Sequence, residues 1–153
     1  MTNQISSTTA ADADFVCVDT ADAHTVARLR HELARWLETQ VTLDVEKLND
    51  VLLAVNEALT NAAEFAYRGQ PGMMGLQVRY DRADGKLIAD VTDRGTWRYV
   101  KHVPQPNTRG RGIPLMRALS DRTSIFKSPE GTHVQLEFGD CVSARPQAAL
   151  VSA

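Results

Sequence analysis

The feature that most constrains the fold of this chain is a long apolar stripe near its middle. Apolar residues recur there at alternating spacings of three and four, which is the pattern of an amphipathic helix. The pattern predicts a helix that opens at Thr42 or Asp44 and runs to about Tyr67, before Gly69 and Gly72 end it. A helix of this length must bury its apolar side against other elements. That side consists of Val45, Leu48, Leu52, Val55, Leu59 and Ala62.

Two polar residues of the same helix, Glu57 and Asn61, lie away from this stripe. Residues four apart share one helix face, so the carboxylate and the carboxamide stand side by side. They point almost opposite to the centre of the stripe, beside the small residues Ala54 and Ala58, which leave room for a ligand. Taken alone, such a pair is more typical of a solvated polar face. Two glycine-containing segments further along favour a functional site instead.

The rest of the chain predicts an α/β fold, a two-layer sandwich in which a mostly antiparallel mixed sheet has its helices on one face. An Asp84-Gly85 turn joins two strands into a hairpin. The predicted strands cover 15–18, about 76–80, 86–92, about 123–127 and 132–138, and two further helices cover about 22–40 and 113–119.

Asp93 ends one of these strands on its core side. Leu87, Ala89 and Val91 share one face by the strand period of two, and Asp93 continues the same parity. A charged carboxylate in that position is costly unless it meets hydrogen-bond donors. The residue is therefore either a capping aspartate or an acceptor for the amino group of a ligand. Thr132 opens the inner face of the last strand, so its hydroxyl is predicted to turn toward the same pocket.

The segment Arg109-Gly110-Arg111-Gly112-Ile-Pro marks the start of a helix. A glycine-rich helix start exposes backbone N–H groups at the positive end of the helix dipole, where anions bind. The segment does not have the spacing of a Walker loop, and it does not follow a strand as a dinucleotide-binding fingerprint does. Alone it is a weak signal that a simple turn also explains.

In this order the segments resemble the histidine kinase-like ATPase (GHKL) superfamily, which includes gyrase, histidine kinases and mismatch-repair proteins. Val55–Tyr67 is similar to its N box, Asp93–Trp97 to its first glycine box and Arg109–Asp121 to its second. Gly131-Thr132 resembles its closing element. The resemblance extends from about Phe15 to Phe138 and is strongest to the bacterial anti-sigma factor serine/threonine-protein kinase branch.

Two residues depart from the pattern of that family. Trp97 stands where many relatives have a second glycine, which bears on the shape of the base pocket. Phe65 stands where this branch often has histidine, outside the residues of the nucleotide site.

The resemblance implies that the site binds ATP. Asp93 would accept a hydrogen bond from the exocyclic amine of adenine, with Thr132 supporting the same edge. Gly95 would let the backbone approach the base. Residues 96–109 would form a lid over the nucleotide.

The resemblance also implies where the phosphates and the metal ion lie. Gly110 and Gly112 would present N–H groups to the phosphates, with Arg109 and Arg111 as charge partners. Asn61 would be a ligand of Mg²⁺, which takes few protein ligands. Glu57 would be the catalytic base that takes a proton from an attacking hydroxyl.

The predicted function is an ATP-dependent serine protein kinase that phosphorylates an anti-anti-sigma-like antagonist protein and sequesters a sigma factor, and so regulates transcription. Three alternatives stay open: a non-catalytic ATP-binding module that sequesters a partner, a detached histidine-kinase catalytic domain, and an interaction protein that no longer binds nucleotide. The sequence identifies neither the partner nor the oligomeric state, so a homodimer stays open as well.

Composition predicts one domain. The chain has 153 residues, of which 43% are hydrophobic, enough for one core. We expect this domain at 14–139, between disordered tails at 1–13 and 140–153. A net charge of −2 argues against nucleic-acid binding.

Nothing in the chain predicts a membrane-spanning segment or a signal peptide, so a cytoplasmic location is expected. Cys17 and Cys141 are predicted to be free thiols.

Overall fold

The structure, a computed structural model, describes residues 13–65, 71–94 and 112–144, with Phe65 described by its backbone alone. The order of elements along the chain agrees with the predicted one, with two short strands added. The elements are β1 (Phe15–Thr20), α1 (Ala23–Gln40), β2 (Val41–Thr42), α2 (Val45–Phe65), β3 (Met73–Asp81), β4 (Lys86–Asp93), α3 (Gly112–Leu119), β5 (Arg122–Ser128), β6 (Gly131–Phe138) and β7 (Val142–Ser143).

Five of the strands form one sheet in the order β1-β3-β4-β6-β5. Every neighbouring pair in it is antiparallel. The helices pack on one side of this sheet, and α2 contacts β3, β4 and β6 as well as both other helices. This arrangement confirms the predicted α/β two-layer fold.

Helix α1 begins where Asp22 caps it, since the Asp22 carboxylate accepts a hydrogen bond from the Thr25 N–H at 2.8 Å. It buries Leu29, Leu33 and Leu37 at spacings of four. In the part of the chain that the structure describes, no helix is long and apolar enough to cross a bilayer.

The buried side of α2 differs from the predicted stripe. Val45 is 74% exposed, whereas Ala54 and Ala58 are buried together with Val51, Val55, Leu59 and Ala62. The reason is tertiary packing: α2 lies between α1 and α3 on top of the sheet, so neighbouring helices cover its flanks. The two alanines therefore make room for packed helices rather than for an open cleft.

Strand alternation follows the prediction. On the helix side of the sheet, Leu87, Ala89 and Val91 of β4 are buried, as are Val134, Leu136 and Phe138 of β6. These two strands pair with each other in the centre of the sheet. Their polar members on the same side are Asp93 and Thr132, at one end of the pair.

The chain past the predicted end of the domain at 139 is also part of the fold. Cys141 is buried, and its N–H donates to the Gly85 carbonyl at 2.8 Å. The short strand β7 pairs with β2. Residues 140–144 thus pack on the fold beyond the predicted boundary at 139, because hydrogen bonds to Gly85 and Gln40, far away in the sequence, hold them. Both cysteines are free, and burial raises the pKa of the Cys141 thiol.

Candidate functional site

One part of the candidate site, which we call the strand end, consists of Asp93 and Thr132. Asp93 is the last residue of β4, and Thr132 faces it across the ladder as its register partner on β6. Both side chains are buried, with exposures of 8% and 3%. Backbone pairing therefore fixes a carboxylate and a hydroxyl next to each other at the end of the sheet.

Gly131 makes this close pairing possible. Its φ is +146°, a conformation that side chains disfavour, and a Cβ placed there would lie 1.9 Å from the Asp93 carbonyl oxygen. Any other residue would have to displace the backbone of β4. The glycine thus determines how closely the ends of β4 and β6 approach.

The Thr132 hydroxyl is buried without a hydrogen-bond partner among the residues that the structure describes. A buried polar group in this state costs about 1–3 kcal/mol. Such groups usually have a partner, supplied either by the protein or by something bound to it. The strand end therefore has an acceptor, Asp93, and an unsatisfied hydroxyl that a ligand can satisfy.

A second part, which we call the helix face, consists of Glu57 and Asn61 on α2 and of Gly112, the first residue of α3. The small space around Gly112 shows how close the three residues are. A Cβ on Gly112 would lie 3.2 Å from both amide atoms of Asn61 and 3.4 Å from Glu57 Oε1. The start of α3 therefore packs directly on the two polar side chains that the helix spacing places together.

The connectivity brings the two parts to the same end of the sheet. Helix α2 ends at Phe65, and β3 begins at Met73. The second residue of that strand, Met74, is the register partner of Asp93. Asn61 is one turn from the end of α2, so the helix face and the strand end lie at the same end of the molecule.

Several predicted site residues lie outside the described part of the chain. They are Gly95, Arg109, Gly110 and Arg111, together with the predicted lid at 96–109 and Trp97. Their roles stay predictions. Within the described part, the structure brings together Glu57, Asn61 and Gly112, and separately Asp93 and Thr132.

Met74 is a residue of this region that the sequence did not predict: its side chain is buried beside Asp93 on the helix side of the sheet. The predicted strand begins only at Leu76. The alternation of Met74, Leu76 and Val78 could have extended the predicted strand to Met74. A cavity of about 590 Å³ opens at this end of the sheet. Met74, Asp93 and Thr132 contribute to its lining, but so do Thr92 and His133 from the side of the sheet away from the helices, and Glu57, Asn61 and Gly112 do not line it.

The fold and these residues place the chain in a known family. Residues 20–138 match the family described as the histidine kinase-like ATPase domain. The match covers most of the chain, and the protein belongs to this family. Membership implies ATP binding. Because the match extends over residues 20–138, the assignment to the family does not rest on the short motifs alone.

One solved structure supports the fold. The crystal structure of the RsbU and RsbW domains of a Mycobacterium tuberculosis protein matches with a TM-score of 0.62 and 22% identity, over 82% of this chain and 32% of that one. The present chain thus spans about a third of that protein's crystallised chain. The histidine kinase domain of a blue-light activated kinase from Erythrobacter litoralis matches with a TM-score of 0.49 and 20% identity, over 76% of this chain and 59% of that one.

Proposed function

We propose that this protein is an ATP-dependent serine protein kinase of the partner-switching type. It phosphorylates a serine of a small anti-anti-sigma-like antagonist and, when not engaged with that antagonist, holds a sigma factor inactive. The similarity to a structure that contains an RsbW domain supports this branch of the family. The observation that carries the proposal is the placement of a buried carboxylate and hydroxyl, Asp93 and Thr132, at the same end of the sheet as the Glu57–Asn61 pair.

The strand end would recognise the base. A buried carboxylate accepts a hydrogen bond from the exocyclic amine of adenine, whereas the oxygen at the corresponding position of guanine offers no donor. The Thr132 hydroxyl, which lacks a partner among the described residues, would gain one at the same edge of the base. Asp93 and Thr132 together favour adenine over guanine.

The helix face would hold the phosphates and carry out the transfer. Gly112 begins α3, so its backbone N–H lies at the positive end of that helix, where phosphate oxygens are stabilised. Asn61 offers a carbonyl oxygen of the kind that Mg²⁺ prefers. Mg²⁺, when bound, would offset the charge that develops on the phosphates.

Glu57 would act as the general base. It is half-exposed and adjoins Gly112 through Oε1, so it can reach a hydroxyl that approaches the phosphate end from solvent. The hydroxyl oxygen of the serine attacks the γ-phosphorus, the bond to the β–γ bridging oxygen breaks, and Glu57 takes the hydroxyl proton. ADP leaves with the bridging oxygen.

Phosphate transfer with γ-labelled ATP tests the proposal. The purified chain is incubated with labelled ATP and host lysate, and the labelled protein is identified by affinity capture and phosphoamino-acid analysis. We expect phosphoserine on a separate small protein, which is released from the complex as it becomes labelled, and co-capture of a sigma factor.

Other outcomes select the alternatives. Label on histidine of a captured protein indicates a detached histidine-kinase catalytic domain. ATP binding without any label indicates a non-catalytic module that sequesters its partner. Absence of ATP binding indicates an interaction protein that has lost the nucleotide.

A further inference from the structure

A lysine, Lys127, lies next to the strand end on the helix side of the sheet. It belongs to the edge strand β5, and its register partner on β6 is Thr132. Side chains directly opposite each other in an antiparallel pair lie on one face of the sheet. Ile125, two residues earlier on β5, packs on the buried core, which agrees with this side. Lys127 therefore continues the row that Asp93 and Thr132 begin.

The row crosses three adjacent strands, from Asp93 on β4 through Thr132 on β6 to Lys127 on β5. Neighbouring strands lie about 4.8 Å apart, so the two outer Cα atoms of the row are roughly 10 Å apart. A lysine side chain is a flexible four-carbon stem that ends in an ammonium group. Because Lys127 is exposed, its stem can lie along the sheet while the ammonium group extends toward the other two side chains.

The cavity at this end of the sheet groups Lys127 with the residues assigned to the base. Its lining includes Lys127 together with Asp93 and Thr132. The three residues of the helix face, which are assigned to the phosphates and the metal ion, do not line it. The position of Lys127 therefore favours a contact with the base over a contact with the phosphates.

The turn between β5 and β6 fixes the position of Lys127. The Ser128 hydroxyl donates to the Gly131 carbonyl at 3.4 Å and accepts from the Glu130 N–H at 3.2 Å. Gly131 in turn lies against the Asp93 carbonyl. The end of β5 is thus held relative to β4 where the base is proposed to bind, and a preorganised backbone lowers the entropic cost of binding.

The hydrogen-bonding groups of the row complement those of adenine. A carboxylate only accepts, and the exocyclic amine is the donor group of adenine, whereas its ring nitrogens accept. The ammonium group of lysine offers three donors and no acceptor. Lys127 can therefore satisfy a ring nitrogen and does not compete with Asp93 for the amine.

We propose that Lys127 is a further nucleotide-binding residue, whose ammonium group donates a hydrogen bond to a ring nitrogen of adenine. The inference rests on the proposed ATP site and adds a specificity-determining residue to it. If the acceptor is N1, the contact also disfavours guanine, which carries a hydrogen at that atom.

Calorimetric titration of the full chain with ATP and with its 1-deaza, 3-deaza and 7-deaza analogues tests the contact. Each analogue replaces one ring nitrogen by a C–H group and so removes one acceptor. Lys127→Met keeps the length of the side chain and removes its charge. We expect this variant to bind ATP about 5- to 30-fold more weakly than the wild type, the value of a charge-assisted hydrogen bond that is partly exposed to water.

The analogues separate a ring contact from other effects of the lysine. For the one analogue that lacks the contacted nitrogen, the wild type and Lys127→Met should bind equally well, because two changes that remove the same interaction are not additive. The same loss with ATP and with all three analogues would overturn the proposal, since Lys127 would then contact the ribose or the phosphates. Equal affinity of the two proteins for ATP would overturn it as well.

Lys86→Met is the matched control. Lys86 begins β4 at the opposite end of the sheet, where its Nζ contacts Glu137 at 3.4 Å, and its substitution should leave the affinity for ATP unchanged. Thermal unfolding checks that Lys127→Met is folded. Lys127→Gln, which also removes the charge but stays polar, is the second variant and should show the same pattern with the analogues.

The labelled-phosphate experiment keeps this inference distinct from the proposed function. If the wild type binds ATP and transfers phosphate while Lys127→Met shows no loss of affinity, only the role of Lys127 is wrong. If the wild type binds ATP without transfer, the kinase proposal fails and the pattern with the analogues still decides the contact. If the wild type binds no ATP, both proposals are overturned.

Discussion

At the strand end, Asp93 and Thr132 are held by backbone pairing between β4 and β6, whereas at the helix face Glu57 and Asn61 are held by their spacing along α2. The strand end is buried, and a glycine at φ +146° closes it. The helix face is partly exposed, and its glycine, Gly112, packs on the side chains of Glu57 and Asn61.

This difference in construction suggests a difference in tolerance. At the strand end, substitutions of Asp93 and Thr132 should act on nucleotide binding, whereas a substitution of the adjoining Gly131 should also act on the fold, because that glycine determines how closely β4 and β6 approach. Changes at the helix face remove one functional group and leave the scaffold intact. The substitutions below test that contrast, from the largest expected effect to the smallest.

Gly131→Ala should destabilise the protein most. A Cβ 1.9 Å from the Asp93 carbonyl oxygen forces the ends of β4 and β6 apart, and the positive φ adds strain, for an expected loss of about 3–5 kcal/mol in the free energy of unfolding. Urea denaturation measures it.

Gly75→Ala is the matched control for Gly131→Ala. Its Cβ would meet the Thr92 side-chain oxygen at 3.0 Å, and that hydroxyl can rotate away. We expect a loss below about 1 kcal/mol. Equal losses for the two glycine variants would show that Gly131 has no special role at the strand end.

Asp93→Asn should weaken ATP binding by about 30- to 1000-fold, because an amide donor would then face the amino group of adenine. Isothermal titration calorimetry measures the affinity, and circular dichroism checks that the fold persists. Asp90→Asn, the same change on the other side of β4, should leave ATP affinity unchanged. Unchanged affinity in Asp93→Asn would remove this residue from the site.

Glu57→Ala should lower the rate of phosphoryl transfer by about 10² or more while ATP stays bound, since a positioned general base contributes that much. Glu38→Ala, at an exposed glutamate of α1, is the control. Transfer at the wild-type rate would mean that Glu57 is a solvated helix residue.

Asn61→Ala should abolish the dependence of ATP binding on Mg²⁺, because Asn61 is the proposed ligand of the ion.

Thr132→Val should have the smallest effects. It should stabilise the fold and weaken ATP binding. Removing an unsatisfied buried hydroxyl should raise the free energy of unfolding by about 1 kcal/mol, while the loss of a hydrogen bond to the nucleotide should lower ATP affinity by roughly 3- to 10-fold. Thermal unfolding and calorimetry measure the two quantities. Thr42→Val, at an exposed threonine of β2, is the control and should not change ATP affinity.

Sequence periodicity predicted the strand end well and the helix face only in part. A period of two assigns Asp93 and Thr132 to the buried side of their strands, because local geometry alone fixes that side. It does not give the register that makes them partners, nor the positive φ of Gly131, since both depend on pairing across the sheet.

Tertiary packing explains why the helical pattern predicted some of the buried residues of α2 wrongly. The spacing of Glu57 and Asn61 is local and follows from the helix repeat, but the approach of Gly112 depends on how α3 packs on α2. The same packing buries Ala54 and exposes Val45. The packing of residues 140–144 on the fold has a similar cause, because the hydrogen bond from Cys141 to Gly85 joins segments far apart in sequence.

Titration of the wild-type chain with ATP and with GTP, in the presence of Mg²⁺, tests most directly whether the strand end is an adenine site. In the proposed site the Asp93 carboxylate accepts from the exocyclic amine of adenine, and guanine has an oxygen at that position, so we expect ATP to bind at least about 30-fold more tightly than GTP. Equal affinity for the two nucleotides would contradict the assignment of Asp93 and Thr132 to the base.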